Sequence, residues 1–166
     1  LYSDTPALGT TYVLNTYKPM SPDVIGSFKL FATAITGLND EDVRISKRAM
    51  LPSSKLRGFK PGKVGPKDGN DYIGGNYALA TNFEANLPNF LPESSKTDIG
   101  LFLDFGNVWN VDYNNNIDSN KIRSSVGANV GWLSPAGPMS FVFSQNLSKA
   151  STDVTESFSF RLGTTF

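Results

Sequence analysis

Residues 98–109 read DIGLFLDFGNVW, and their side chains alternate between two kinds. Leu101, Leu103 and Phe105 fall on one side of an extended strand, because successive strand side chains point to opposite faces. The other side carries small residues, Phe102 and the carboxylate of Asp104. This period of two predicts a β-strand with one apolar face and one mixed face.

The same alternation recurs along most of the chain. It is clear in 77–87, 123–132, 138–145 and 157–166, and less regular in 8–18 and 25–36. Together with 98–109, these segments predict about seven antiparallel strands and an all-β fold. Each is near the length of about 9–11 residues with which a tilted strand crosses a bilayer.

Composition excludes several classes of function. The chain has 166 residues, with 15 basic and 15 acidic side chains, so its formal net charge is zero and nothing in it favours nucleic acid as a partner. It contains no cysteine and no histidine. Zinc sites of the Cys/His type, thiol nucleophiles and Ser-His-Asp triads are therefore excluded, and we expect no metal and no cofactor.

The sequence has no apolar run of about 20 residues, the length that a membrane-spanning helix needs. Its first residues, LYSD, have neither the basic start nor the apolar stretch of a signal peptide. The chain also opens without a methionine. We therefore expect it to be a piece of a longer protein.

The connections between the predicted strands alternate in length. Residues 18–23 and 133–137 are short and marked by proline, whereas 39–76, 110–120 and 148–156 are long and polar. Short turns on one side and long loops on the other are typical of outer-membrane barrels, with periplasmic turns and extracellular loops. Residues 88–97 are longer than this pattern predicts.

A soluble β-sandwich or a lipocalin-like barrel would also show a period of two. The outer face of a soluble sandwich is rich in charged residues, however, whereas the mixed face here is mostly Gly, Ser, Asn and Ala. Aromatic residues at Tyr77, Trp109, Trp132 and Phe166 fit the girdles at the two membrane interfaces. The pattern therefore favours the membrane barrel.

Four motifs resemble those of the BamA family. They are LRGF at 56–59, followed by Pro-Gly and Gly-Pro elements; GLFLDFGNVW at 100–109; WLSPAGPM at 132–139; and FSFRLGTTF at 158–166. They match the family's loop-six motif, its FxDxGxVW strand, its WxSPxGP turn and its C-terminal β-signal. The four occur in the family's order, and the resemblance covers about residues 8–166.

The resemblance implies an antiparallel transmembrane β-barrel of sixteen strands, of which 1–166 would be the C-terminal portion with about seven. Residues 39–76 would be extracellular loop six, and 157–166 the β-signal strand. The family barrel is preceded by periplasmic POTRA domains, which this sequence lacks. Its open strand edges would then be covered by the remainder of the barrel or by self-association, because a membrane sheet does not leave edges exposed to lipid.

The resemblance also implies a lock in loop six, formed by Arg57, Gly58 and Phe59. The loop would fold back into the barrel lumen, where Arg57 meets the carboxylates of Glu84 and Asp104. Both acids fall on the polar face of adjacent predicted strands, and a guanidinium group suits bidentate pairing with a carboxylate. The plain alternative is that these acids line a watery lumen unpaired. A glycosidase pair is rejected, because the basic partner comes from the same chain.

Phe158, Phe160, Gly163 and Phe166 would form the seam, at which the last strand meets the first strand of the barrel. The function implied is assembly of outer-membrane proteins: the seam opens and a client strand pairs with the free edge. No enzyme activity is expected. The partners implied are the lipid bilayer, unfolded clients and accessory lipoproteins, in the outer membrane of a Gram-negative bacterium. The alternatives are a two-partner secretion channel and a barrel that anchors another domain.

Overall fold

The computed structural model of the protein describes residues 6–117 and 120–163. Within them, seven strands form one antiparallel sheet in the order β1-β2-β5-β6-β7-β8-β9, and β3 and β4 form a small hairpin. The strands are β1 (Ala7–Ser21), β2 (Val24–Gly37), β3 (Lys67–Asp68), β4 (Asp71–Tyr72), β5 (Tyr77–Leu87), β6 (Thr97–Trp109), β7 (Arg123–Ser134), β8 (Gly137–Ser148) and β9 (Phe158–Leu162).

The sheet confirms the predicted seven strands and the all-β antiparallel class. Three short 3-10 helices, at Ile45–Lys47, Glu93–Ser95 and Asn115–Ile117, lie in the connections. None of the helices in residues 6–117 and 120–163 has the length and apolar character needed to cross a membrane.

The first strand is longer than predicted. It continues through Pro19 to Ser21, so the expected turn at 18–23 is reduced to Pro22 and Asp23. Proline donates no backbone hydrogen bond and is tolerated in edge strands and at bulges. β1 pairs with β2 alone among the described strands, and its register shifts between Pro19 and Ser21.

The two faces of the sheet differ as the alternation predicts. Leu101 on β6 is 52% exposed and Phe143 on β8 is 51% exposed, and both point away from the covered face. Aromatic pairs run across this outer face, among them Phe28 with Phe83 and Phe141 with Phe160. A soluble sandwich would bury such a face, since each Å² of apolar surface in water costs about 25 cal/mol. The soluble alternative is therefore wrong.

The opposite, inner face is covered by the loop of residues 38–76, which joins β2 to β5. Apolar residues of the loop and of the sheet form one buried cluster, with Phe31 and Ile35 packed against it. Its members are Ala49, Leu51, Leu56, Phe59 and Val64 from the loop, and Ala78, Ala80 and Val108 from the sheet. This cluster holds the loop against the strands that carry Glu84 and Asp104.

Candidate functional site

The tip of the 38–76 loop is fixed by apolar residues on both sides of Arg57. Leu56 immediately precedes it and Phe59 lies two positions later, and both side chains are buried. Burying side chains of this size contributes about 1.5–3 kcal/mol each. These two buried side chains fix the loop segment between them and direct Arg57 at the inner face of β6, although Arg57 itself lies in a loop and not in a strand.

Arg57 makes a bidentate ion pair with Asp104. Its Nε donates to Oδ2 and its Nη2 donates to Oδ1, both over 2.8 Å, and its backbone N–H donates to Oδ2 over 3.0 Å. The Asp104 side chain is 0% exposed, and that of Arg57 is 11% exposed. A buried carboxylate needs this number of donors, because it has lost its hydration.

Glu84 takes a looser place in the same group. One carboxylate oxygen lies 3.5 Å from Arg57 Nη1 and the other lies 3.4 Å from Lys29 Nζ. The register pairs Asn82 with Asp104, so Glu84 is one inward-facing position further along β5. Glu84 therefore shares its charge between two cations, and Asp104 is the principal partner of Arg57.

The aromatic ring of Phe102 forms the floor under the guanidinium group. Arg57 Cζ lies 3.7 Å from the ring centroid, and Phe102 is buried on the same face of β6 as Asp104. A guanidinium group at this distance is attracted by the negative face of the ring. Phe102 belongs to the FxDxGxVW motif, yet its part in the site was not predicted.

We expect Phe102→Leu to weaken the Arg57 site by about 0.5–2 kcal/mol, because the cation–π contact is lost while an apolar side chain is kept. A double-mutant cycle with Arg57→Met, which places no cation over the ring, followed by unfolding in urea, isolates this coupling. The matched control is Phe83→Leu, on the outer face of the adjacent strand. Equal coupling energies for Phe102 and Phe83 would contradict the contact.

Gly58 lets the loop turn where it meets β7 and β8. Its φ is +86°, a conformation that side chains other than glycine disfavour. A Cβ there would lie 3.1 Å from Ser144 Oγ and 3.2 Å from Ser125 Cβ. The Gly58 carbonyl accepts hydrogen bonds from Asn146 Nδ2 and from the backbone of Glu156.

Phe59 lies in the buried cluster and also pairs with a second loop. Its backbone forms an antiparallel bridge with Thr155, in the connection of residues 149–157 between β8 and β9. Next to it, the Lys60 N–H donates to the Val154 carbonyl over 2.9 Å. Ser125 Oγ donates to the Arg57 carbonyl over 2.5 Å. Main-chain atoms of the tip are thus held as well as its side chains.

A second buried ion pair, which the sequence analysis missed, joins Arg123 to Asp153. Arg123 Nε and Nη2 each donate to a carboxylate oxygen of Asp153 over 2.9 Å, and both side chains are 0% exposed. Arg123 Nη1 also donates to Asn107 Oδ1 and to the Lys121 carbonyl. The one available signal in the sequence is that the alternation over 123–132 puts Arg123 on the mixed face of its strand.

Residues 111–113, just after β6, complete the covering of the inner face. Asp112 accepts hydrogen bonds from the Val43 N–H over 2.8 Å and from Asn76 Nδ2 over 2.6 Å, at the two ends of the 38–76 loop. Tyr113 donates its hydroxyl proton to Asp68 over 2.9 Å. This hydrogen bond raises the pKa of Tyr113 above 10, because the neutral phenol is the donor.

The predicted seam residues lie apart from the loop lock. Phe158 and Phe160 are on β9, exposed on the outer face, with their rings 5.2 Å from Phe143 and 5.1 Å from Phe141. Gly163 follows the strand with φ +79°. Phe166 lies outside the described residues. The structure thus brings Arg57, Gly58, Phe59, Glu84 and Asp104 together on the inner face and places Phe158 and Phe160 on the outer face.

The chemistry of the site is electrostatic and structural. Across residues 6–117 and 120–163, no group of three acidic side chains is arranged to hold a metal ion. Each carboxylate of the loop lock faces a cation from the same chain. The arrangement therefore binds one loop of the protein to its own sheet.

Comparisons with known proteins agree with this architecture. The family model described as the Omp85 superfamily domain matches residues 1–166. A crystal structure of BamA from Haemophilus ducreyi lacking POTRA domains 1–3 superimposes with a TM-score of 0.79 at 24% identity. The match covers 93% of this chain and 34% of that chain, and it shows the shared fold.

Curated relatives are similar over shorter stretches. The outer membrane protein assembly factor BamA of Neisseria meningitidis serogroup B is 32% identical over 139 residues, which is 67% of this chain and 17% of the relative. That of Neorickettsia risticii is 33% identical over 62% of this chain and 14% of the relative. A SAM50-like protein of Schizosaccharomyces pombe is 35% identical over 80 residues, which is 47% of this chain and 17% of the relative.

The chain thus spans between 14% and 17% of the length of these relatives. The matches confirm the resemblance to the BamA family that the four motifs indicated. Since the family model covers every residue from 1 to 166, this chain belongs to the Omp85 superfamily.

Proposed function

We propose that this chain is part of an outer-membrane protein assembly factor, which inserts and folds client β-barrels in the outer membrane of a Gram-negative bacterium. The observation that carries the proposal is the buried pair of Arg57 and Asp104, which holds the 38–76 loop on the inner face of the sheet. Family membership and the outward apolar face support the location.

The loop lock and the seam have separate roles in this proposal. The 38–76 loop, as extracellular loop six, keeps β5 to β8 as one body. Arg57 contacts β5, β6 and β7, Gly58 contacts β8, and Phe59 pairs with the 149–157 connection. β9 is held by five residue pairs with β8 and by one hydrogen bond from Arg161 to Ser53 of the loop, and its other edge has no partner among the described strands. The body can keep its shape while the edge strand separates.

An edge strand presents unpaired N–H and C=O groups, which template the pairing of another strand. A client strand that pairs with this edge satisfies its backbone polar groups before it enters lipid, where each unsatisfied group costs several kcal/mol. The partners in this proposal are the bilayer, unfolded client barrels and accessory lipoproteins. No covalent bond is made or broken, so the protein acts without enzyme chemistry.

The test is reconstitution of the whole protein in lipid vesicles. A urea-unfolded client, a small outer-membrane barrel, is added, and its folded fraction is followed by its altered migration in gels run without heating. We expect faster client folding than in vesicles without the protein. Steady ion conductance with no acceleration of client folding would contradict the proposal and favour the secretion channel.

A further inference from the structure

The connection of residues 149–157 lies between two parts of the site. On one side, Asp153 is held by Arg123 at the start of β7 and accepts the Ala150 N–H over 2.6 Å. On the other side, the backbone of residues 154–156 in the connection pairs with the loop tip. The connection is therefore a bridge between β7 and the segment that carries Arg57.

The pairing with the loop tip is made by main-chain groups. The Glu156 N–H donates to the Gly58 carbonyl over 3.0 Å, the Lys60 N–H to Val154, and the Val154 N–H to the Lys63 carbonyl over 3.1 Å. Such bonds fix residues 58–63 only as firmly as the connection itself is fixed. The exposed connection has one fully buried charged side chain to hold it, that of Asp153.

We propose that Arg123 and Asp153 form a second anchor of the 38–76 loop, acting through the 149–157 connection to position Arg57 on Asp104. Both are positioning residues in the proposed assembly function, on which this inference rests. The first anchor joins the loop tip to β6 through Asp104, and the second joins it to β7 through Arg123. Together the two anchors fix the position of the tip on the sheet. The connection also leads directly into β9, so the same pair fixes where the edge strand begins.

A buried ion pair suits this task because removal of one partner leaves the other charge unpaired in a dry site. Arg123 is bound by four donor contacts to Asp153, Asn107 and Lys121, which resist both translation and rotation of the guanidinium group. The bidentate geometry fixes an orientation as well as a distance. An apolar contact at this position would let the connection slide.

The test uses Asp153→Asn in the whole protein, which keeps the shape of the side chain and removes its charge. The reporter is trypsin cleavage after Lys63, whose carbonyl the connection holds. We expect cleavage about tenfold faster than in the unmodified protein, since loss of a buried partner removes far more than the free energy of one tenfold step. Lys149→Gln, at an exposed position in the same connection, is the matched control and should cleave at the original rate.

A disulfide distinguishes positioning of the loop from a general effect on β7. The bridge between Phe59 and Thr155 places Lys60 opposite Val154, and both side chains are exposed. Opposed residues of an antiparallel pair lie close enough for a disulfide. Asp153→Asn should also slow client folding, because Arg57 is no longer held in position. We expect Lys60→Cys with Val154→Cys to restore slow cleavage and client folding to Asp153→Asn when oxidised, and to lose both when reduced.

Two results would overturn the inference while leaving the assembly function in place. One is an unchanged cleavage rate in Asp153→Asn when Arg57→Ala is cleaved faster. The other is a disulfide that forms but restores neither cleavage resistance nor client folding. If Asp153→Asn fails to fold, recovery of the folded, unheated gel band by the oxidised disulfide supports the anchor, and no recovery contradicts it. The assembly function itself fails only if the unmodified protein does not accelerate client folding.

Discussion

Replacing Arg57 with alanine is expected to lower the free energy of unfolding by about 3 kcal/mol and to impair client assembly. The substitution leaves the carboxylate of Asp104 fully buried, with the backbone N–H of residue 57 as its remaining donor from the loop. Phe102 loses the cation above its ring at the same time. Unfolding in urea measures the first effect, and rescue of cells depleted of the natural protein measures the second.

The controls for this prediction separate charge from geometry. Lys60→Ala removes an exposed cation from the same loop and should leave both measurements unchanged. Arg57→Lys keeps the charge but loses the planar fork that binds both carboxylate oxygens, so its effect should be intermediate. Unchanged stability and full rescue by Arg57→Ala would show that the loop lock is dispensable.

The substitution Gly127→Ala is expected to destabilise the sheet by about 2–3 kcal/mol, because it overpacks the contact between β7 and β8. A Cβ at residue 127 would lie 2.0 Å from the Phe143 carbonyl oxygen and 2.6 Å from Phe102 Cζ. Either β8 must move away or the ring of Phe102 must leave its place under Arg57. Urea unfolding should therefore show a lower midpoint, and trypsin should reach the 38–76 loop sooner.

Gly9→Ala is the matched control for this second prediction. Its Cβ would meet Ile35 Cγ1 at 3.8 Å, an ordinary contact, in an edge strand. We expect no loss of stability there, since alanine costs less conformational entropy in a strand than glycine does. Equal effects at the two positions would show that strand glycine itself, and not the close approach at Gly127, determines the outcome.

Much of the fold follows from the alternation alone. The strand at 98–109 has a period of two, and one face of a barrel meets lipid while the other does not, so burial of Asp104 and exposure of Leu101 could be predicted. The length of β1 could not, because Pro19 is a turn signal by composition and is tolerated within β1 at the register shift between Pro19 and Ser21.

The site was predictable in part. Arg57, Glu84 and Asp104 were named from the motifs and from the shared face of two strands, and the structure places the three side chains within ion-pairing distance. The anchor of Arg123 and Asp153 could not be found in this way. Asp153 lies in a polar stretch that resembles any solvated loop. Its pairing depends on how that loop folds back onto the start of β7, which no periodicity encodes.

The buried cluster that fixes the 38–76 loop has a consequence for biogenesis. Phe31 and Ile35 on β2 come before the loop, but the buried sheet members of the cluster, Ala78, Ala80 and Val108, all come later in the chain. Non-local contacts of this kind form slowly, after loop closure has been completed. The loop must therefore wait for the hairpin of β5 and β6, and a nascent chain that ends before Asp104 carries an RGF tip that lacks the principal partner of Arg57.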